Sequence, residues 1–221
     1  MKTTILQENF AKGLSLVSRF VATKATLPIL GNILLTIDKG QIKLAATNLE
    51  VGISVWLGAK IEEEGVLTVP AKPLTEFINS LPPEKIEIEI RKNSLFLTSG
   101  VFKANFNGTA VEEFPQIPSA SEELILSFES GELAMALSQV VFAAAQDEGR
   151  PVLTGVLLQV QGKKVSLVAT DGYRLSSKNL IVKEAKLERN LLIPAKTLLE
   201  VARIAQEKSR EEGEVKVSFT P

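Results

Sequence analysis

The 221-residue chain holds 25 Lys and Arg against 26 Asp and Glu, for a formal net charge of −1, and has neither histidine nor cysteine. Those absences exclude disulfides, thiolate nucleophiles, histidine general bases and nearly every zinc site. The balanced charge neither recruits nor repels DNA in bulk, so a nucleic-acid role has to come from how charge is distributed.

A strand is predicted near Lys2 to Leu6, then an amphipathic helix from about Glu8 to Val21. Phe10, Leu14, Val17 and Val21 form its buried stripe, about 60° wide at 100° per residue. Strands follow at Ile29 to Ile37 and Ile42 to Ala46, joined through Asp38-Lys-Gly-Gln41 with Gly40 supplying the turn. Glu50 to Gly58 and Val66 to Val69 read as two more strands. The Pro70-Ala71-Lys72 entry starts a second helix that carries Leu74, Phe77, Ile78 and Leu81 inward, and Pro82-Pro83 stops it. Lys85 to Ile90 alternates strictly between charged and apolar residues, the mark of a half-buried strand. Leu95 to Thr98 and Phe102 to Phe106 complete this set.

Glu112-Glu-Phe-Pro-Gln-Ile-Pro118 and the polar residues after it read as a junction. The chain then repeats itself. Leu27-Pro-Ile-Leu-Gly-Asn-Ile-Leu-Leu-Thr-Ile37 returns as Arg150-Pro-Val-Leu-Thr-Gly-Val-Leu-Leu-Gln-Val160, and Ile42 to Asn48 returns as Val165 to Asp171, all shifted by 123 residues. Phe10, Leu14 and Val17 map onto Leu133, Leu137 and Val140 at the same shift, and Val69-Pro-Ala-Lys72 maps onto Ile193-Pro-Ala-Lys196 at 124. A period this long marks duplicated domains rather than a solenoid. Two are expected, residues 1–120 and 121–221. In the second, the helix with Leu133, Leu137, Val140 and Ala144 precedes paired strands, a helix to about Glu207 and a strand at Glu214 to Phe219. Measured against the first copy, the second is expected to be incomplete by two strands. The fold class is α+β, each copy packing two helices on antiparallel sheets.

Two stretches invite a catalytic reading. Asp147-Glu-Gly-Arg150 and Thr170-Asp-Gly-Tyr-Arg174 bring carboxylates near arginines, and paired carboxylates hydrolyse glycosides or hold magnesium. The competing reading is structural, since Asp-Gly favours a tight turn after a strand. With no glycine-rich phosphate loop, nucleophile elbow or metal-ligand cluster in the sequence, no catalytic residue, metal or cofactor is expected. On the first helix Lys12, Ser15 and Arg19 lie opposite the Phe10 stripe, with Lys24 in the next loop. This small basic face fits either a nucleic-acid contact or an ordinary solvated helix surface. The N-terminus carries no apolar leader and no segment is long enough to cross a bilayer, so a soluble, cytoplasmic chain without membrane contact is expected.

Thr26-Leu-Pro-Ile-Leu-Gly-Asn32, Val168-Ala-Thr-Asp-Gly-Tyr-Arg-Leu175 and the two Pro-Ala-Lys helix entries closely resemble the bacterial DNA polymerase III beta subunit family, the sliding clamps, from Met1 to Pro221 in order. The resemblance implies a replication processivity factor, not an enzyme. It implies a homodimeric ring of three similar domains per subunit, with helices lining a hole for duplex DNA and sheets outside. The implied partners are the DNA polymerase III catalytic subunit, the clamp loader and other proteins bearing a clamp-binding motif. The third domain would be absent from this chain. A scaffold that binds peptides without encircling DNA is the alternative. By position, Lys24, Lys72, Arg150 and Lys196 match or neighbour DNA-facing residues, and helical geometry adds Lys12 and Arg19. The implied peptide pocket takes in Leu153, Thr170, Gly172, Tyr173, Arg174 and Leu175, with Arg174 bonding the peptide at the rim.

Overall fold

A computed structural model of the protein describes residues 2–22, 27–38, 40–118, 125–147, 149–182, 188–209 and 214–218. Two units divide the chain, Met1–Pro118 and Ser119–Pro221.

The first unit begins with β1 (Lys2–Leu6) and α1 (Gln7–Val17), and its strands β2 (Asn32–Asp38), β3 (Gln41–Thr47), β4 (Gly52–Gly58), β5 (Lys60–Glu63) and β6 (Gly65–Pro70) lead into α2 (Ala71–Ser80). Then come β7 (Lys85–Arg91), β8 (Ser94–Ser99) and β9 (Phe102–Asn107). All pairings are antiparallel, in a four-stranded sheet ordered β4-β3-β2-β6 and a five-stranded sheet ordered β5-β1-β7-β8-β9. One core joins them. Phe10, Leu14 and Val17 of α1, with Leu74 and Ile78 of α2, meet Ile33, Leu35, Ile42 and Leu44 of one sheet and Ile86, Ile88, Leu95 and Leu97 of the other. Gly13 lets α1 settle onto the sheet, since a Cβ there would lie 2.6 Å from Leu57 Cδ1.

The second unit repeats the plan with β10 (Ile125–Glu129), α3 (Ser130–Val140), β11 (Gly155–Gln161), β12 (Lys164–Thr170), β13 (Leu175–Ile181), β14 (Glu188–Pro194), α4 (Ala195–Ser209) and β15 (Glu214–Ser218). The helices α1 and α3, and the strand pairs β2/β11, β3/β12 and β4/β13, start 123 residues apart. Its four-stranded sheet runs β13-β12-β11-β14, and β10 pairs with β15. Glu129 caps α3, its carboxylate accepting from the N–H groups of Gly131 at 3.0 Å and Glu132 at 2.7 Å.

Several expectations are corrected. The first α-helix ends at Val17 rather than Val21, tightening into the 3-10 turn Ser18–Phe20, where the Ser18 hydroxyl hydrogen-bonds Thr75 of α2 at 2.8 Å. The predicted strand from Ile29 begins only at Asn32, because Pro28–Gly31 forms a 3-10 turn, as does Pro151–Thr154 in the second unit. Proline presets the first φ of that turn and donates no N–H. Strand β5 was not anticipated, for Lys60-Ile-Glu-Glu63 offers one apolar residue and no period. Lys39 and Phe219 lie outside the described residues.

Candidate functional site

Between β12 and β13 the chain reverses through Asp171, Gly172, Tyr173 and Arg174. Thr170 faces Leu175 across the strand pair. The Thr170 hydroxyl donates to the Arg174 carbonyl at 2.7 Å and accepts from the Gly172 N–H at 3.1 Å. Asp171 Oδ1 accepts from the N–H groups of Tyr173 and Arg174, both at 2.9 Å. This is an aspartate-anchored turn, with Gly172 at its left-handed position. Its φ is +90°, and a Cβ would lie 3.2 Å from Arg150 Nη1.

Arg174 ties the turn to the segment after α3. Its Nε donates to Asp171 Oδ2 at 2.9 Å, its Nη2 to the Phe142 carbonyl at 2.8 Å, and its guanidinium lies 5.4 Å from the centre of the Phe142 ring. Ser176 makes a second tie, donating to the Gln139 carbonyl at 2.6 Å. The Arg174 and Tyr173 N–H groups, followed by the Arg174 guanidinium, hold the Asp171 carboxyl below its ordinary value. Arg174 was expected to serve a ligand at the rim. Two of its donors bond within the protein, bracing the turn against the segment after α3.

Apolar side chains stand open around this frame. Leu175 and Val152 are each 68 % exposed, Phe142 is 56 % exposed and Tyr173 is 98 % exposed. Leu153, expected in a strand, is half-buried in the 3-10 turn, held by its carbonyl accepting from Ala145 N–H and its N–H donating to the Arg150 carbonyl, both at 2.9 Å. Exposed apolar surface over a hydrogen-bonded polar frame suits a short peptide with apolar anchors. Phe142 was not singled out in the sequence, lying in the apolar run Val140 to Ala145. The Thr-Asp-x-x-Arg spacing marks the turn but not its tie to the helix end.

The candidate basic residues fall into three groups. Lys12 on α1 and Arg19 on the following turn are exposed, as is Lys72 in the first turn of α2. The Ser18–Thr75 bond puts Arg19 and Lys72 at neighbouring ends of the packed helices. Lys196 holds the position on α4 that Lys72 holds on α2, and one turn later Glu200 pairs with Arg203 at 2.6 Å. Arg150 lies over Gly172, at the turn, rather than on a helix face. Lys24 lies outside the described residues. Of the carboxylates in the catalytic reading, Asp147 and Asp171 serve turns, Asp147 Oδ1 accepting from Gly149 N–H at 3.0 Å, and Glu148 lies outside the described residues.

Residues 1–118 match the profile of the DNA polymerase III beta subunit, N-terminal domain, and residues 127–221 match that of its central domain. A beta sliding clamp from Pseudomonas aeruginosa is 33 % identical over 219 residues, which cover 96 % of this chain and 59 % of that protein. A crystal structure of a Pseudomonas aeruginosa sliding clamp bound to griselimycin superposes with a TM-score of 0.92 at 32 % identity, over 99 % of this chain and 59 % of that one. The Bacillus subtilis DNA polymerase sliding clamp gives 0.93 at 25 % identity, over 100 % and 60 %. The chain thus spans about 59 % of the length of the first of these relatives.

Proposed function

Because the chain belongs to the DNA polymerase III beta subunit family, we propose that it supplies the first two domains of a replication sliding clamp that encircles duplex DNA and tethers the polymerase. The carrying observation is that the N-terminal and central domain profiles match consecutively, at 1–118 and 127–221, over two units built to one plan. The activity is topological. A ring closed around the duplex does not leave sideways, so a tethered polymerase stays at a high effective concentration beside its template. No bond is made or broken by the clamp, and it needs no cofactor.

In this reading Lys12, Arg19, Lys72 and Lys196, with Lys24 and Arg150, supply a sparse positive surface. Long exposed side chains on helices hold phosphates without fixing register, as sliding demands. In this reading two full-length subunits, each with a third domain, form the ring as a homodimer in the cytoplasm, opened by a clamp loader. The polymerase catalytic subunit and other motif-bearing proteins dock at the second unit, their apolar anchors against Val152, Leu153 and Leu175 and their approach set by the Arg174-braced turn.

The test loads the natural gene product onto nicked circular duplex. It should be retained at moderate salt and released when the circle is cut. Equal retention on linear and circular DNA, or on neither, would favour the scaffold that binds peptides without encircling DNA.

A further inference from the structure

The first unit has the same cleft, and it is partly filled. Ile29 and Leu30 occupy the positions of Val152 and Leu153, yet they are only 6 % and 4 % exposed. On the sheet beside them Ala45 and Thr47 are buried, whereas Val168 and Thr170, their counterparts, are half-buried. The cover is the unit's own tail. Phe114, 8 % exposed, forms a small separate core with Ile29 and Leu30, and Ile117, Ala22 and Leu34 pack against it.

The tail is pinned on the way. The Thr109 N–H donates to the Thr68 carbonyl at 3.1 Å, the Thr68 hydroxyl donates to the Thr109 carbonyl at 2.8 Å, and Asn32 Nδ2 donates to the Thr109 hydroxyl at 3.2 Å. Phe114 N–H then closes on the Val111 carbonyl at 2.9 Å. The seat for Ile117 is Gly52, where a Cβ would come within 2.8 Å of Ile117 Cγ2. Leu175 stands at that position in the second unit, so the same tail does not fit there in the same way. A cavity of about 470 Å³ beside the tail, lined by Leu27, Pro28, Ile29, Asn32, Thr109 and Glu113, shows that the cleft is only partly filled.

We propose that Phe114 and Ile117 are a built-in occupant that closes the first unit's copy of the docking cleft to peptides. The class of excluded partner, a short peptide with apolar anchors, rests on the docking reading given above. The occupancy itself rests on the first unit alone. Phe114, buried, supplies an aromatic anchor and Ile117, half-buried, a branched aliphatic one three residues later, both on the first unit's counterpart of the docking surface.

The experiment uses the isotope-labelled full chain, a synthetic peptide of residues 112–118 and its Phe-to-Ala version. In the parent the peptide should not shift the amides of Leu30, Thr47 or Leu49. In a Phe114→Ala/Ile117→Ala variant it should shift them saturably, and the Phe-to-Ala peptide should not. A folded double variant with no saturable shift, or a parent that shifts equally, overturns the proposal. Should the double variant fail to fold, Gly52→Leu decides, because it keeps the tail and removes its seat. Exchange at the Phe114 amide should then rise at least tenfold while that at Thr109 is unchanged, and unaltered Phe114 exchange overturns the proposal. Docking at the second unit is read from Thr170, Gly172 and Leu175, so its failure is visible separately.

Discussion

The turn Asn48 to Val51 and the turn Asp171 to Arg174 have one wiring and two outcomes. In each a threonine hydroxyl donates to the carbonyl four residues on, at 3.0 Å in the first unit and 2.7 Å in the second. In each that hydroxyl accepts from the N–H two residues on, and an Asn or Asp oxygen accepts from the two N–H groups that close the turn. Even the left-handed position is shared, at Leu49 with φ 76° and Gly172 with φ 90°. What differs is the side chains. The first turn ends in Val51 and Gly52 beneath a covering tail, the second in Arg174, tied to Phe142, and an open Leu175. Backbone wiring therefore belongs to the duplicated fold, and the side chains at the two turns set them apart.

The largest effects should come from the shared core. Leu14 and Leu137 hold the same place on α1 and α3, and both are buried. Leu14→Ala and Leu137→Ala should each destabilise its own unit by about 2–5 kcal/mol, and denaturant titration followed by hydrogen exchange in each unit measures both. Costs within about 1 kcal/mol of each other would mean the units are copies in packing as well as topology, and a wide gap would break that equivalence.

Arg174→Ala against Val51→Ala separates the turns by function. The first should weaken docking of a clamp-binding peptide by about 2 kcal/mol, roughly thirtyfold, by freeing the turn from Phe142, while the second leaves docking unchanged in calorimetric titration. If Arg174→Ala binds as the parent does, the bracing role is wrong.

Exchanging the left-handed residues should give smaller and opposite shifts. Gly172→Leu should destabilise the second unit by about 1–2 kcal/mol, since a side chain in that conformation meets the following carbonyl and here also crowds Arg150. Leu49→Gly should gain less than about 1 kcal/mol, relief of strain being offset by the greater freedom of glycine in the unfolded chain. A gain at position 172 would contradict the geometry.

The smallest effect concerns Asp171. Its carboxyl is lowered in the folded chain, so the stabilisation is complete above the ordinary aspartate value of about 3.9 and is lost as pH falls through the lowered one. Asp171→Asn, which copies Asn48, should remove this acid dependence from the Arg174 side-chain resonances and leave the turn intact at neutral pH. Persisting acid dependence would assign it to another group.

The 123-residue shift, the Phe10 stripe and the alternation of Lys85 to Ile90 made the duplicated α+β plan readable, because each is a local or periodic pattern that folding preserves. Pro28 and Pro151 misled, since the leucine-rich runs after them look extended from their first residue. The brace from Arg174 to Phe142 spans 32 residues and leaves no periodic trace. Phe114 and Ile117 read as part of a proline-rich junction for a similar reason: Phe114 is buried against Ile29 and Leu30 and Ile117 sits over Gly52, contacts that only the folded unit provides.

Amide mapping of the labelled chain with a short clamp-binding peptide tests the central claim most directly. Saturable shifts at Leu153, Thr170, Gly172, Arg174 and Leu175, with none at Leu30, Thr47 or Leu49, are the predicted result. Equal shifts at the two turns, or shifts confined to the first, would contradict the account.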